Sequence, residues 1–139
     1  FIELVKSKPD EFTYGSSGIG STHHLTMEAL KAALNLKVRH VPFRGSGQST
    51  PALVGGQVEF SVAALPSMAG FVKAGQVRIL ASNAARRSPQ APEVPAIAEV
   101  VPGFDFAVVI GAMAAAGTPR PVLNFEPPLG EIAEKSPLR

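Results

Sequence analysis

The chain has 139 residues, of which 45% are hydrophobic, enough for one domain with a real core but too few for two. Its 13 basic and 11 acidic residues give a net charge of +2 and do not gather into an arm or tract, which argues against a nucleic-acid footprint. Cysteine is absent, so disulfides, thiolate catalysis and cysteine metal sites are excluded.

Taken in chain order, residues 1–8 read as the end of a helix stopped by Pro9. Phe12 to Tyr14 forms a short apolar strand leading into Gly15-Ser-Ser-Gly-Ile-Gly-Ser-Thr22, a loop of glycines and hydroxyls. A helix is expected from about Thr22 to Asn35, with Met27, Leu30 and Leu34 on one face. Lys37 to Phe43 alternates as a strand does, and a second glycine–serine loop, Arg44-Gly45-Ser46-Gly47, opens a helix running to Val54. Val58 to Leu65 is a continuous small-and-apolar run, as expected for a buried parallel strand. A third helix is expected over Met68 to Ala74, a strand over Val77 to Ser82, an extended connection over Ser88 to Pro95, a helical turn over Ile97 to Val100 and a strand over Phe104 to Ala114. The longest apolar run, Ala107 to Ala116, falls well short of the roughly 20 residues a membrane helix needs. Prolines at 121, 127 and 128 argue against a long terminal helix.

This order is α/β: a parallel sheet, mixed at the edge, flanked by helices. Ligands on such sheets bind beyond the carboxyl ends of the strands, where both glycine–serine loops belong. Glycines let backbone approach a ligand, and unpaired N–H groups at the following helix start favour an anion. The first loop fails the dinucleotide fingerprint, because no third glycine follows Gly18-x-Gly20 at the required offset, and it lacks the Gly-Lys-Ser/Thr ending of a P-loop. Ser21 or Thr22 also suits a plain helix cap. Arg44 is placed to pair with a carboxylate, or equally to lie exposed over apolar surface. His23 and His24 are adjacent and point about 100° apart on a helix, so no three-histidine metal site with His40 is expected; capping or packing suits each better. No cofactor is implied. A serine hydrolase would need Ser16 or Ser17 beside a base and an orienting acid, and Gly-x-Ser-x-Gly is absent.

The stretch Tyr14-Gly-Ser-Ser-Gly-Ile-Gly-Ser-Thr-His-His-Leu25 resembles the motif of the tripartite tricarboxylate transporter substrate-binding receptors, the Bug family. Val41-Pro-Phe-Arg-Gly-Ser-Gly47, Leu53-Val-Gly-Gly-Gln-Val58, Leu65-Pro-Ser67 and Lys73-Ala-Gly-Gln-Val-Arg-Ile-Leu-Ala81 follow in the family's order, then Arg87-Ser-Pro89, Pro92-Glu-Val-Pro95, Pro102-Gly-Phe104 and Ala116-Gly-Thr-Pro119. The resemblance implies one lobe of a type II periplasmic-binding-protein-like fold in a non-catalytic periplasmic receptor. That receptor would capture di- or tricarboxylates, acidic amino acids or aromatic acids and deliver them to membrane transporter subunits. It implies ligand binding by Ser17, Gly18, Ile19, Gly20, Ser21 and Thr22 from the first loop and by Arg44, Gly45 and Ser46 from the second. Residues 1–10 would end a preceding helix or crossover, 11–105 would form the ligand-binding lobe, and 106–139 would hold a return strand and irregular tail.

The sequence departs from the family pattern at Ala63, where members often carry aspartate, and at His23, where many have a small residue or proline. Beyond Leu123 the usual amphipathic helix gives way to Asn-Phe-Glu-Pro-Pro-Leu-Gly130. The resemblance also implies that a first lobe precedes Phe1, so the chain is expected to be the second lobe of a processed or truncated receptor. Half the ligand bonds and no closure imply millimolar or undetectable affinity for the isolated chain. Two other readings stay open here: an α/β hydrolytic enzyme using Ser16 or Ser17, and an orphan lobe whose cleft face has become an oligomer interface, as in a homodimer.

Overall fold

The computed structural model describes residues 1–89 and 91–106. A short helix α1 (Ile2–Ser7) leads to β1 (Thr13–Ser16), α2 (Thr22–Leu34), β2 (Arg39–Pro42), α3 (Ser46–Val54), β3 (Phe60–Ser61) and α4 (Leu65–Lys73), and a 3₁₀ turn covers Ile97–Glu99. The three strands form one sheet in the order β2-β1-β3, and both pairings are parallel. Among the described residues the sheet therefore has no antiparallel edge strand.

β1 takes the centre because it can be buried on both faces: Tyr14, Gly15 and Ser16 are all buried. On one face Tyr14 packs into a cluster with Met27 and Leu30 of α2, together with Val5, Leu36, Val38 and Phe104. On the other face Gly15 lies against Phe43 and Val58, where an added Cβ would sit 3.2 and 3.3 Å from their side chains. Chain direction explains the two faces. Successive parallel strands lie on opposite sides of β1, so right-handed crossovers put α2 and α3 on opposite faces of the sheet. The point where the strand order reverses, at the carboxyl end of β1, is where such sheets open a crevice.

Local chemistry sets the helix ends. Ser21 caps α2, its Oγ accepting the His24 N–H at 3.2 Å. Asn35 ends α2 in the left-handed conformation at φ 52°, which short polar residues tolerate. Pro66 lies in the first turn of α4, where its missing N–H is not needed.

Three expected strands need correction. Val58 to Leu65 contributes only Phe60–Ser61 to the sheet. Val77 to Ser82 is not a strand: its one bridge joins Ser82 to Ala96, through Ser82 N–H to Pro95 O and Ile97 N–H to Ser82 O. The apolar run is there, but among the described residues no neighbouring backbone pairs with 77–81, and a strand exists only where a ladder forms. Phe104–Phe106 likewise carries no ladder, and the rest of that expected strand lies outside the described residues. The helical turn near Ile97 forms as expected, with Glu99 accepting the Ala96 N–H and a two-pronged contact from Arg87.

Candidate functional site

Where β1 ends, Ser16 turns its hydroxyl inward and is fully buried. The Gly18 N–H donates to Ser16 Oγ at 3.1 Å, which folds the chain back into a tight loop. Gly18 lies at φ 132° and Gly20 at φ 79°, conformations that favour glycine at both positions. Ser21 closes the loop: its N–H and its hydroxyl both donate to Gly18 O, at 3.2 and 2.7 Å, while Ser21 Oγ accepts the His24 N–H and caps α2. The Gly20 N–H donates to His24 Nδ1 at 3.2 Å.

The second loop is laced to the first. Phe43 N–H donates to Ser16 O at 3.0 Å and Gly45 N–H to Ser17 O at 3.1 Å. Gly45 O accepts from Gln48 and Ser49 at the start of α3, and the Arg44 N–H donates to the Gln48 side chain. The two glycine–serine loops thus form one unit at the carboxyl edge of the sheet, with the amino ends of α2 and α3 beside it. Neither helix carries an acidic residue in its first turn, so nothing there competes with an incoming anion. The N–H groups of Ser17, Ile19, Thr22 and His23 have no partner among the described residues.

Each sequence-predicted residue can now be located. Ser17 is half-buried and hydrogen-bonded to His23 Nδ1 at 2.8 Å, while Gly18, Gly20 and Ser21 shape the loop. Ile19 stands out at its tip, 78% exposed. Thr22 and Ser46 are the first residues of α2 and α3. Arg44 is exposed, and its guanidinium makes no ion pair among the described residues. Among the described residues no group of three or more histidine, cysteine or acidic side chains is placed to hold a metal ion.

Sequence reasoning missed what lies behind the loop. His40 Nε2 sits 2.7 Å from Ser16 Oγ, with the donor set by the imidazole tautomer. The His40 ring is stacked between Tyr14, at 4.7 Å, and His24, at 4.3 Å. Tyr14 OH donates to Glu28 Oε1 at 2.6 Å, and Lys31 Nζ donates to the same oxygen at 2.8 Å. Burial and then the Glu28 contact push the Tyr14 phenol well above its usual pKa. Burial alone would raise the Glu28 carboxyl, but the hydrogen bonds from Lys31 and Tyr14 outweigh it and hold it low. Burial lowers His23; burial and then the neighbouring His24 lower His40. The available signal was register: Thr13–Ser16 pairs with Arg39–Pro42, which sets Tyr14 directly beside His40.

Two serine–histidine contacts raise the question of hydrolysis. Ser16, however, is fully buried, and no carboxylate bonds the second nitrogen of His23 or His40 among the described residues. The comparisons decide the matter. A profile of the Tripartite tricarboxylate transporter family receptor matches residues 1–126. The chain belongs to this family. Its relatives include the UPF0065 protein in the tcbD-tcbE intergenic region of Pseudomonas sp. (strain P51), 36% identical over 125 residues, covering 88% of this chain and 37% of that protein. Protein BugT of Bordetella pertussis is 30% identical over 118 residues, 84% of this chain and 36% of its own length. This chain thus spans just over a third of the length of these two relatives. Among solved structures, R. palustris Rpa4515 with adipate superposes with a TM-score of 0.72 at 35% identity, over 75% of this chain and 35% of that one. MatC of Rhodopseudomonas palustris with bound malate gives a TM-score of 0.69 at 30% identity, over 76% and 36%. The periplasmic binding protein BugD gives 0.68 at 26% identity, over 75% and 35%. The fold is one lobe of a periplasmic-binding-protein architecture, and the family is one of solute-binding receptors rather than enzymes, which overturns the hydrolase alternative.

Proposed function

We propose that this receptor-family chain supplies one half of a carboxylate-binding site in the periplasm, working with transporter membrane subunits. The observation that carries the reading is the lacing of two glycine–hydroxyl loops, neither holding an acidic residue, beside two helix starts equally free of acidic residues. An acid there meets amides and hydroxyls: the N–H groups of residues 17, 19, 22 and 23, the hydroxyls of Thr22 and Ser46, and the Arg44 guanidinium from the rim. Gly18, Gly20, Ser21 and Gly45 give the cradle its shape. Relatives solved with adipate and malate make dicarboxylic acids the first compounds to try.

Strength follows from counting. A helix terminus contributes about 0.3–2 kcal/mol and a charge-assisted hydrogen bond about 1.5–3, before ordering costs. Micromolar binding requires about 8 kcal/mol and millimolar about 4. A half-site open to water falls in the millimolar range. Titrating adipate or malate into the ¹⁵N-labelled chain is expected to move the amide resonances of residues 17–23 and 44–47 with millimolar affinity. Micromolar binding would break the half-site reading. Shifts confined to other residues, or none at about 50 mM ligand, would remove the site itself.

A further inference from the structure

The loop's shape depends on two imidazoles that lie outside both glycine–serine loops. Of the loop amides from 17 to 20, those of Gly18 and Gly20 are turned inward, Gly18 onto Ser16 Oγ and Gly20 onto His24 Nδ1. Ser16 Oγ in turn leans on His40 Nε2. The amides between them, Ser17 and Ile19, are the ones left without a partner among the described residues. This alternation is imposed from behind, because the His40 ring is stacked on both Tyr14 and His24, which limits the freedom of either imidazole to turn.

We infer that His24 and His40 are positioning residues of the anion loop: stacked on each other they fix which amides face the ligand, and a proton on the nitrogen that accepts the Gly20 N–H would release that amide, whereas the Ser16 hydroxyl, which also donates to Gly18 O, can accept from His40 instead. The inference rests on the carboxylate-binding reading for its consequence but not for its geometry. The hydrogen-bond argument is simple. A nitrogen that accepts the Gly20 N–H carries no proton; once protonated it becomes a donor, and two N–H groups then face each other. The charged groups around the pair work in both directions. Glu28 of α2 attracts a proton toward His40, whereas His24 and Lys31 of the same helix oppose it. Tyr14, from β1, is held as a neutral phenol by burial and Glu28. Burial disfavours a charged His40.

Four forms of the chain test this by NMR. In ligand-free wild type, the Gly18 and Gly20 amide resonances are expected to move with pH in step with the imidazole ring signals of His24 or His40. His24→Ala removes the acceptor, and exchange of the Gly20 amide with solvent is expected to rise roughly 2- to 13-fold, the net worth of one hydrogen bond. His24→Asn restores an acceptor that does not titrate, so protection returns and the pH response of Gly20 is lost. His40→Gln plays the same part for Ser16 and Gly18. Adipate titrates in this range too, so its affinity is compared between wild type and His24→Asn at each pH. Wild type is expected to weaken more steeply as pH falls. Loop amides that ignore imidazole titration, or identical steepness in the two forms with adipate seated on the loop, would overturn the inference. Loop amides that follow the imidazoles while adipate binds nowhere would support the positioning role and discard the carboxylate reading instead.

Discussion

Replacing Gly18 by alanine tests whether the loop is held by its backbone or by side-chain contacts. At φ 132° an L side chain is strained, while the new Cβ would lie 3.4 Å from Phe43 O, an ordinary contact. The penalty is therefore conformational, about 1–3 kcal/mol for a residue forced into a sparsely populated backbone region. Gly47 serves as the control, because it sits in the first turn of α3 with no positive φ, and nothing lies within 4 Å of an added Cβ. There alanine is expected to stabilise by about 0.4–1 kcal/mol through a less mobile unfolded chain. Urea unfolding read by circular dichroism gives both numbers. With a slope near 2 kcal/mol per molar, Gly18→Ala lowers the midpoint by about 0.5–1.5 M and Gly47→Ala raises it by about 0.2–0.5 M. A wild-type midpoint for Gly18→Ala, or an equal fall for both variants, would refute the claim that the loop's shape depends on that glycine.

Two further outcomes follow from the same loop. Burial lowers His23 and His40 below the ordinary value of 6.5, so the folded chain binds fewer protons than the unfolded one. Their stabilisation is complete above about pH 6.5 and is lost as pH falls, so the urea midpoint should drop between about pH 7.5 and 5, and His40→Gln should flatten that slope. A midpoint that rises over the same interval would contradict the assignment. Ser21→Ala removes the cap of α2 and the loop-closing bond to Gly18 O, and should cost about 0.5–2 kcal/mol in the same assay; a change within error would show that the cap is dispensable.

The helices and the position of both loops were legible in the sequence because their determinants are local. Thr22–Leu34 announces itself through the spacing of Met27, Leu30 and Leu34, and both its ends are set by neighbouring residues, Ser21 and Asn35. The strands were less legible. Val77–Ser82 has a strand's composition, but pairing depends on which backbone lies beside it, and a segment cannot state its neighbour. The histidines show the same limit. That each packs or caps was readable from the sequence. That His40 sits between Tyr14 and His24 required the parallel register of β1 and β2, which joins positions 26 residues apart in the chain.

The two backbone bonds that lace Ser16 and Ser17 to Phe43 and Gly45 have a bearing on protein engineering. Retargeting such a chain by exchanging one binding loop for a relative's would cut across them. Here residues 14–22 contain the carbonyls and residues 42–48 the amides of a shared seam, so a graft of either alone would set two backbones against each other. The pair, together with His24 and His40 beneath it, is the smallest unit that can be moved intact.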